Sequence, residues 1–345
     1  MEVRSTGLTR SRLAVLPTPV AEAQGARAAL GCAPLWIKRD DLTGFGVAGN
    51  KARALEYLVG DAVARGCDVL VTGGGPDSNF VAAAALAARV AGMDCELVVA
   101  TGECAPPTPN VALARAAGAR IEALGDSRRD RVDAAVEERA ARLLAEGRNP
   151  AALPRGGSTA LGAVGFARAV SELTDQVATG RLPQPALVVI AVGSGGSAAG
   201  LLAGAAAVAA GWRLLAVSVS RPRAEIDARV RGLAAECAEL SGTPEPEPSR
   251  LEVVDARGPG FGVASARDRA AAEFALHTEG LLLDDTYGAK AFAVALDRLR
   301  GGEPGPVLYW HTGGVSSALA HLVPDPVRIP TPVDPGDPAT EGAPR

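Results

Sequence analysis

The chain has 345 residues, 48% of them apolar, and a formal net charge of −4, a length that suits one large domain or two medium ones with ample core. The slightly acidic balance offers no electrostatic case for a nucleic-acid partner, and no uninterrupted apolar run of membrane-spanning length or N-terminal targeting segment is present, so neither a membrane nor an export route is expected. Five dispersed cysteines (Cys32, Cys67, Cys95, Cys104, Cys237) without a CxxC pair, and three scattered histidines, argue against a metal centre and a disulfide framework and suit a reducing cytoplasm.

Taken in chain order, short apolar runs alternate with alanine-rich helical stretches. The pattern predicts a strand at 34–38 and a helix at 52–65, then a strand at 68–72, a helix at 79–91 and a strand at 96–100. A loop is expected at 103–109, followed by a strand at 120–123 and helices at 131–146 and 160–179. The second half reads as strand 186–192, helix 197–210, strand 214–219, helix 223–240, strand 252–254, helices 264–277 and 287–299, and strand 307–310. Strands that are apolar almost throughout, separated by helices, indicate parallel sheets buried on both faces, an α/β fold. The run Arg128-Arg129-Asp130-Arg131 reads as a solvated helix face, and the proline-rich residues 325–345 as a disordered tail.

Only three of the 35 basic residues are lysine: Lys38, Lys51 and Lys290. Lysine, unlike arginine, can lose its proton and condense with a carbonyl. Lys51 follows Gly49-Asn50, with Asn50 placed to cap the helix that begins there. In a first turn the helix dipole lowers an amine's pKa by a modest amount, although a plain surface lysine fits the same position. Gly73-Gly74-Gly75-Pro76-Asp77-Ser78-Asn79, between a strand and a helix, presents amides and hydroxyls suited to a carboxylate, or serves as an ordinary cap. Val192-Gly193-Ser194-Gly195-Gly196-Ser197 follows an apolar strand and has the makings of a phosphate cradle. Residue 198 is alanine where a dinucleotide fingerprint has its third glycine, and no Gly-Lys-Ser/Thr is present, so a phosphate monoester fits better than a nucleotide. Asp284-Asp285-Thr286-Tyr287 and Trp310-His311-Thr312-Gly313-Gly314 place polar groups where apolar runs end.

A lysine behind Gly-Asn, a Ser-Asn loop and a glycine-rich phosphate loop fit pyridoxal 5′-phosphate. In Leu16-Pro17-Thr18-Pro19, IKRDDLTG, GNK, SNF, VGSGGS, TEGLLLDDTY and HTGG, in that order over residues 16–320, the chain resembles the D-cysteine desulfhydrase and 1-aminocyclopropane-1-carboxylate (ACC) deaminase family of fold type II enzymes. The resemblance implies two domains with open twisted parallel-type sheets and flanking helices. A large cofactor-binding domain would comprise 1–50 and 160–324, and a small one 51–159. It implies that Lys51 carries the cofactor and moves the α-proton, and that Asn79 meets the ring hydroxyl. Ser78 would meet the substrate carboxylate, and Gly193, Ser194, Gly195, Gly196 and Ser197 the phosphate. Tyr287 would face the substrate, and Thr312 the pyridine nitrogen. Lys38 and Lys290 read as structural.

ACC deaminases are similar but carry Glu after the tyrosine and Leu in the last motif, where this chain has Gly288 and Thr312. A hydroxyl at the ring nitrogen leaves a weaker electron sink than a carboxylate, so β-elimination to an α-keto acid and ammonia is favoured over opening a cyclopropane. The desulfhydrases resemble SNH and GYG where this chain has Ser78-Asn79-Phe80 and Gly260-Phe261-Gly262. Phe80 and Phe261 are therefore expected to make the substrate pocket more apolar. The alternatives are an ACC deaminase-like or racemase-like reaction on a specialised amino acid, a cofactor binder without turnover and, weakest, a nucleotide-dependent oxidoreductase. The resemblance also implies a homodimer.

Overall fold

The structure, a computed structural model, describes residues 7–102 and 107–322. In chain order the strands are β1 (Val20–Glu22), β2 (Leu35–Arg39), β3 (Val69–Gly74), β4 (Asp94–Val99), β5 (Arg120–Ala123), β6 (Pro150–Ala152), β7 (Leu187–Val192), β8 (Arg213–Ser218), β9 (Leu251–Asp255) and β10 (Val307–His311). The helices are α1 (Gln24–Leu30), α2 (Lys51–Ala64), α3 (Asn79–Val90), α4 (Pro109–Ala116), α5 (Val132–Ala145), α6 (Ala160–Ala178), α7 (Gly196–Ala207), α8 (Arg223–Ser241), α9 (Ala266–Glu279), α10 (Gly288–Arg300) and α11 (Val315–Leu322).

Among the described residues these build a six-stranded sheet, order β1-β2-β10-β7-β8-β9, and a four-stranded sheet, order β5-β4-β3-β6. Every residue of β7, sequence LVVIAV, is buried, because helices cover both faces. Val188, Ile190 and Val192 pack toward α6, α7 and α8. Leu187, Val189 and Ala191 pack toward α9 and α10. In the smaller sheet Leu70 joins the core under α2 and α3, whereas Val69 and Val71 meet Val132, Val136 and Leu143 of α5. The α/β class with helix-flanked parallel sheets is as the patterning implies.

The elements that the patterning missed are short. β1 and β6 have three residues each, too few for an alternating pattern to register. β1 also runs antiparallel to β2, so the large sheet is parallel except at that edge. Pro109, expected in a loop, opens α4, with Thr108 Oγ1 accepting from Val111 N. Residues 103–106 and the expected tail at 325–345 lie outside the described residues.

A buried ionic cluster ties the segment carrying Thr18, together with α2 and α6, to the large sheet. Arg53 of α2, 1% exposed, donates to Asp40 Oδ2 at 2.8 Å and to Glu172 Oε2 of α6 at 3.0 Å. Lys38 of β2 donates to Glu172, to Gln176 Oε1 at 2.8 Å and to Thr18 O at 2.8 Å. Trp310 Nε1 of β10 donates to Asp40 Oδ2 at 2.8 Å. Lys38, expected to be structural, is one knot of this cluster. The Leu16-Pro17-Thr18-Pro19 motif supplies another through Thr18.

Candidate active site

One cavity opens between the two sheets at the carboxyl ends of β3, β7 and β10, where ligands gather in open α/β sheets. Every residue assigned a cofactor or substrate role from the sequence lines it: Lys51, Ser78, Asn79, Phe80, the loop Gly193, Ser194, Gly195, Gly196 and Ser197, Phe261, Tyr287 and Thr312. Among the described residues its wall contains no Asp or Glu.

Lys51 is the first residue of α2. Gly49 before it has φ +54, and a Cβ there would lie 2.5 Å from Thr312 O, so only glycine lets the two backbones meet. Asn50 N donates to that same carbonyl at 2.9 Å. Asn50 stands at the N-cap as expected, but its side chain does not cap the helix. Instead Nδ2 donates to Ser197 Oγ at 3.1 Å, tying the lysine turn to the start of α7. Burial brings the Lys51 ammonium down to about 8. Desolvation by burial is the cause. Among the described residues no side chain forms an ion pair or hydrogen bond with its amine.

Two helix starts face this amine. Ser78 is the N-cap of α3 with an uncommitted hydroxyl, and Asn79 follows it with Oδ1 accepting from Asn110 Nδ2 at 3.1 Å. At the other start, Gly195 takes φ +103 and leads into α7. Gly196 N already donates to Ser158 Oγ at 3.2 Å, and Ser158 Oγ bonds Ser194 Oγ at 2.6 Å. No described acceptor engages the amides of Ser194, Gly195 or Ser197, which leaves a set of donors for an anion.

The remaining wall comes from the large sheet. Asp284 is a backbone cap: its carboxylate accepts from the amides of Thr286 at 3.2 Å, Tyr287 at 3.0 Å and Gly288 at 2.9 Å. Burial nevertheless raises its pKa to about 6. Tyr287 lies against Gly193, where a Cβ would meet its ring at 3.0 Å, and burial pushes its phenol up to about 12, so it stays protonated. The turn carrying Thr312 is set by His311, whose Nδ1 accepts from Gly313 N at 3.3 Å.

Phe80 and Phe261 both line the cavity. Phe80 is 1% exposed, and its ring tip abuts Gly157, where a Cβ would lie 2.7 Å away. Phe261 meets Tyr287 edge-on, with ring centroids 5.8 Å apart, and the Arg129 guanidinium lies on its other neighbourhood, 3.4 Å from the ring centroid. That stretch of wall is cationic, not merely apolar. Lys290, the other lysine expected to be structural, donates to Arg257 O at 2.6 Å and Gly260 O at 2.7 Å, so it holds the loop that presents Phe261.

Sequence reasoning missed Arg129, Arg155 and Arg221, which also line the cavity. Arg129 sat in the run read as a solvated face; Arg128, Asp130 and Arg131 are exposed, but Arg129 turns inward. The Pro154-Arg155-Gly156-Gly157 punctuation was the available sign of a turn at Arg155. Nothing in the local pattern marked Arg129.

Residues 11–313 match the family model described as pyridoxal-phosphate dependent enzyme. The chain is 37% identical over 287 residues to a Pyrococcus abyssi protein that carries the provisional name 1-aminocyclopropane-1-carboxylate deaminase, covering 81% of this chain and 84% of that one. It is 34% identical over 325 residues to the D-cysteine desulfhydrase of Salmonella choleraesuis, covering 92% and 97%. A solved structure of an ACC deaminase homologue, 34% identical, superposes with a TM-score of 0.83 over 90% of this chain and 93% of that one.

Proposed function

This chain belongs to the pyridoxal-phosphate-dependent enzyme family, and from that premise we propose that it is a lyase removing a β-substituent from a small amino acid, in the manner of a D-cysteine desulfhydrase. The observation that carries the reading is the unpartnered Lys51 amine, held near a pKa of about 8 between two sets of uncommitted helix-start donors. These residues fit the cofactor. Lys51 is the amine to carry it, the amides and hydroxyls from Gly193 to Ser197 would hold its phosphate, and Asn79 and Thr312 would meet its ring. Bound there, pyridoxal phosphate supplies the electron sink that stabilises a carbanion at Cα.

The chain's own groups would do the rest. Ser78 and the α3 amides would receive the substrate carboxylate, which fixes the Cα–H bond relative to Lys51. An amine near pKa 8 is neutral in about one molecule in ten at pH 7, far more often than an ordinary lysine, so Lys51 is suited to take the Cα proton. Tyr287, protonated, would donate a hydrogen bond to the departing group. Thr312 offers the ring nitrogen a neutral hydroxyl rather than an acid. In balance, the substrate loses a proton from Cα and its β-substituent with the bonding pair. Water then supplies the keto oxygen, and an α-keto acid and ammonia are released.

Gly288 favours this over the ACC deaminase-like alternative. A Cβ there would meet Asp284 Oδ1 and Leu283 at 3.2 Å, so the acid that ACC deaminases carry after the tyrosine would press on the Asp284 cap and require it to give by a few tenths of an ångström. The test is release of pyruvate and sulfide from D-cysteine, with L-cysteine and ACC alongside, on pyridoxal-phosphate-loaded protein. Turnover of D-cysteine, lost in Lys51→Ala, is the expected result; turnover of ACC alone would overturn it. The resemblance also supports a cytoplasmic homodimer, in keeping with the unpaired thiols of Cys32, Cys67, Cys95 and Cys237; light scattering of the purified protein reads the oligomeric state. Among the described residues no helix is long and apolar enough to cross a membrane.

A further inference from the structure

Three arginines line the cavity, and two of them are committed elsewhere. Arg155 pairs with Asp133 at 2.8 Å, and Arg221 pairs with Glu225. Arg129 has no carboxylate or hydrogen-bond acceptor among the described residues. Its guanidinium rests on Phe261, 3.4 Å from the ring centroid, and its Cδ lies 3.5 Å from where a Cβ of Gly75 would be. It therefore stands between the Gly74–Asn79 turn and the Tyr287 wall. A guanidinium held over an aromatic ring keeps N–H donors directed away from the ring, free to grip an anion.

The charges around Arg129 make an empty grip unfavourable. Burial and the neighbouring Arg155 and Arg221 disfavour its charged form. Among the described residues no acid lines the cavity to compensate. On the reading above, the cofactor phosphate is met at Gly193–Ser197 and the substrate's α-carboxylate at Ser78, so neither uses Arg129.

Resting on that reading, we infer that Arg129 forms a subsite for a second anionic group, carried on the β-substituent of the amino-acid substrate. The chemical class is an amino acid whose side chain ends in a carboxylate, phosphate ester or sulfonate. Phe261 is the platform that orients the guanidinium, and Lys290 holds that platform in place through Arg257 O and Gly260 O.

The test is calorimetric titration of pyridoxal-phosphate-loaded protein with both enantiomers of aspartate and O-phosphoserine, against asparagine and O-methylserine as neutral counterparts. The wild type is expected to bind at least one anionic member more tightly than its counterpart. Arg129→Met should weaken that binding by about 10- to 100-fold, the range for a lost charge-assisted hydrogen bond, and leave the neutral ligands nearly unchanged. Arg129→Lys should retain part of the preference, which also guards against a misfolded methionine variant. Equal weakening of charged and neutral ligands would overturn the inference by placing Arg129 at the α-carboxylate. Weaker uptake of pyridoxal phosphate itself in Arg129→Met would overturn it by placing Arg129 at the phosphate, and absence of any anionic preference in the wild type would do so directly. Wild-type protein that takes up no pyridoxal phosphate would instead defeat the underlying reading, an outcome the absorbance of the loaded protein separates from the others.

Discussion

At the residue scale, the behaviour of Lys51 follows from where its amine is kept. An ordinary lysine stays protonated up to about pH 10.4, whereas burial without a carboxylate partner brings Lys51 down to about 8. Because the neutral amine is the nucleophile, the rate at which apo-protein takes up pyridoxal phosphate should rise with pH and level off above about 8. Stopped-flow absorbance at a series of pH values checks this; a rate still climbing steeply near pH 10 would show an unshifted lysine. The position of Lys51 behind Gly49-Asn50 was legible, since a glycine-containing turn before an apolar-periodic helix is a local signal. The cause of its pKa was not, because desolvation depends on what the opposite loops bring over it. Arg129 shows the converse. In a run of alternating charges it looks like its exposed neighbours, and only the Phe261 ring from far along the chain distinguishes it.

At the scale of elements, the site is assembled from helix starts and from loops that other elements hold still. The loop carrying Phe261 spans two carbonyls, those of Arg257 and Gly260, whose acceptor is answered by Lys290 of α10, itself fully buried. Replacing Lys290 with Met removes both donors. The unmet carbonyls should cost about 1–3 kcal/mol of stability, measurable as a lower urea midpoint, and amide exchange should quicken over residues 257–263 while the core of α10 stays protected. Exchange unchanged in that loop would show that Lys290 does not hold it. The long helices and the six-residue strands were legible in the sequence because their periodicity repeats often enough to register. β1 and β6, three residues each, acquire their strand character only by pairing with β2 and β3, so no local pattern announces them.

At the scale of the whole molecule, the ionic cluster of Arg53, Asp40, Glu172 and Lys38 ties α2 and α6 to the large sheet. Arg53 and Asp40 are 1% and 0% exposed, so each charge depends on the other to offset its desolvation. Arg53→Ala leaves Asp40 without its main partner and should destabilise the protein by about 3–5 kcal/mol, the range for breaking a buried pair; urea unfolding reads this, and a change below about 1 kcal/mol would show the cluster to be incidental. The residues of this cluster come from α2, α6, β2 and the turn that follows β2, and the cavity is walled by loops drawn from both sheets. What the sequence by itself determined is the set of local devices: apolar runs that must be buried on both faces, glycines where backbones pass closely, and a lysine, a Ser-Asn turn and a glycine-rich loop in family order. What only the tertiary structure decided is which distant groups stand opposite them. The Phe261 platform beneath Arg129 and the Thr312 carbonyl against Gly49 arise from contacts across more than a hundred residues. Local patterning constrains a residue's own backbone and exposure, whereas charge, desolvation and close approach are set by whichever surfaces the packed sheets bring together.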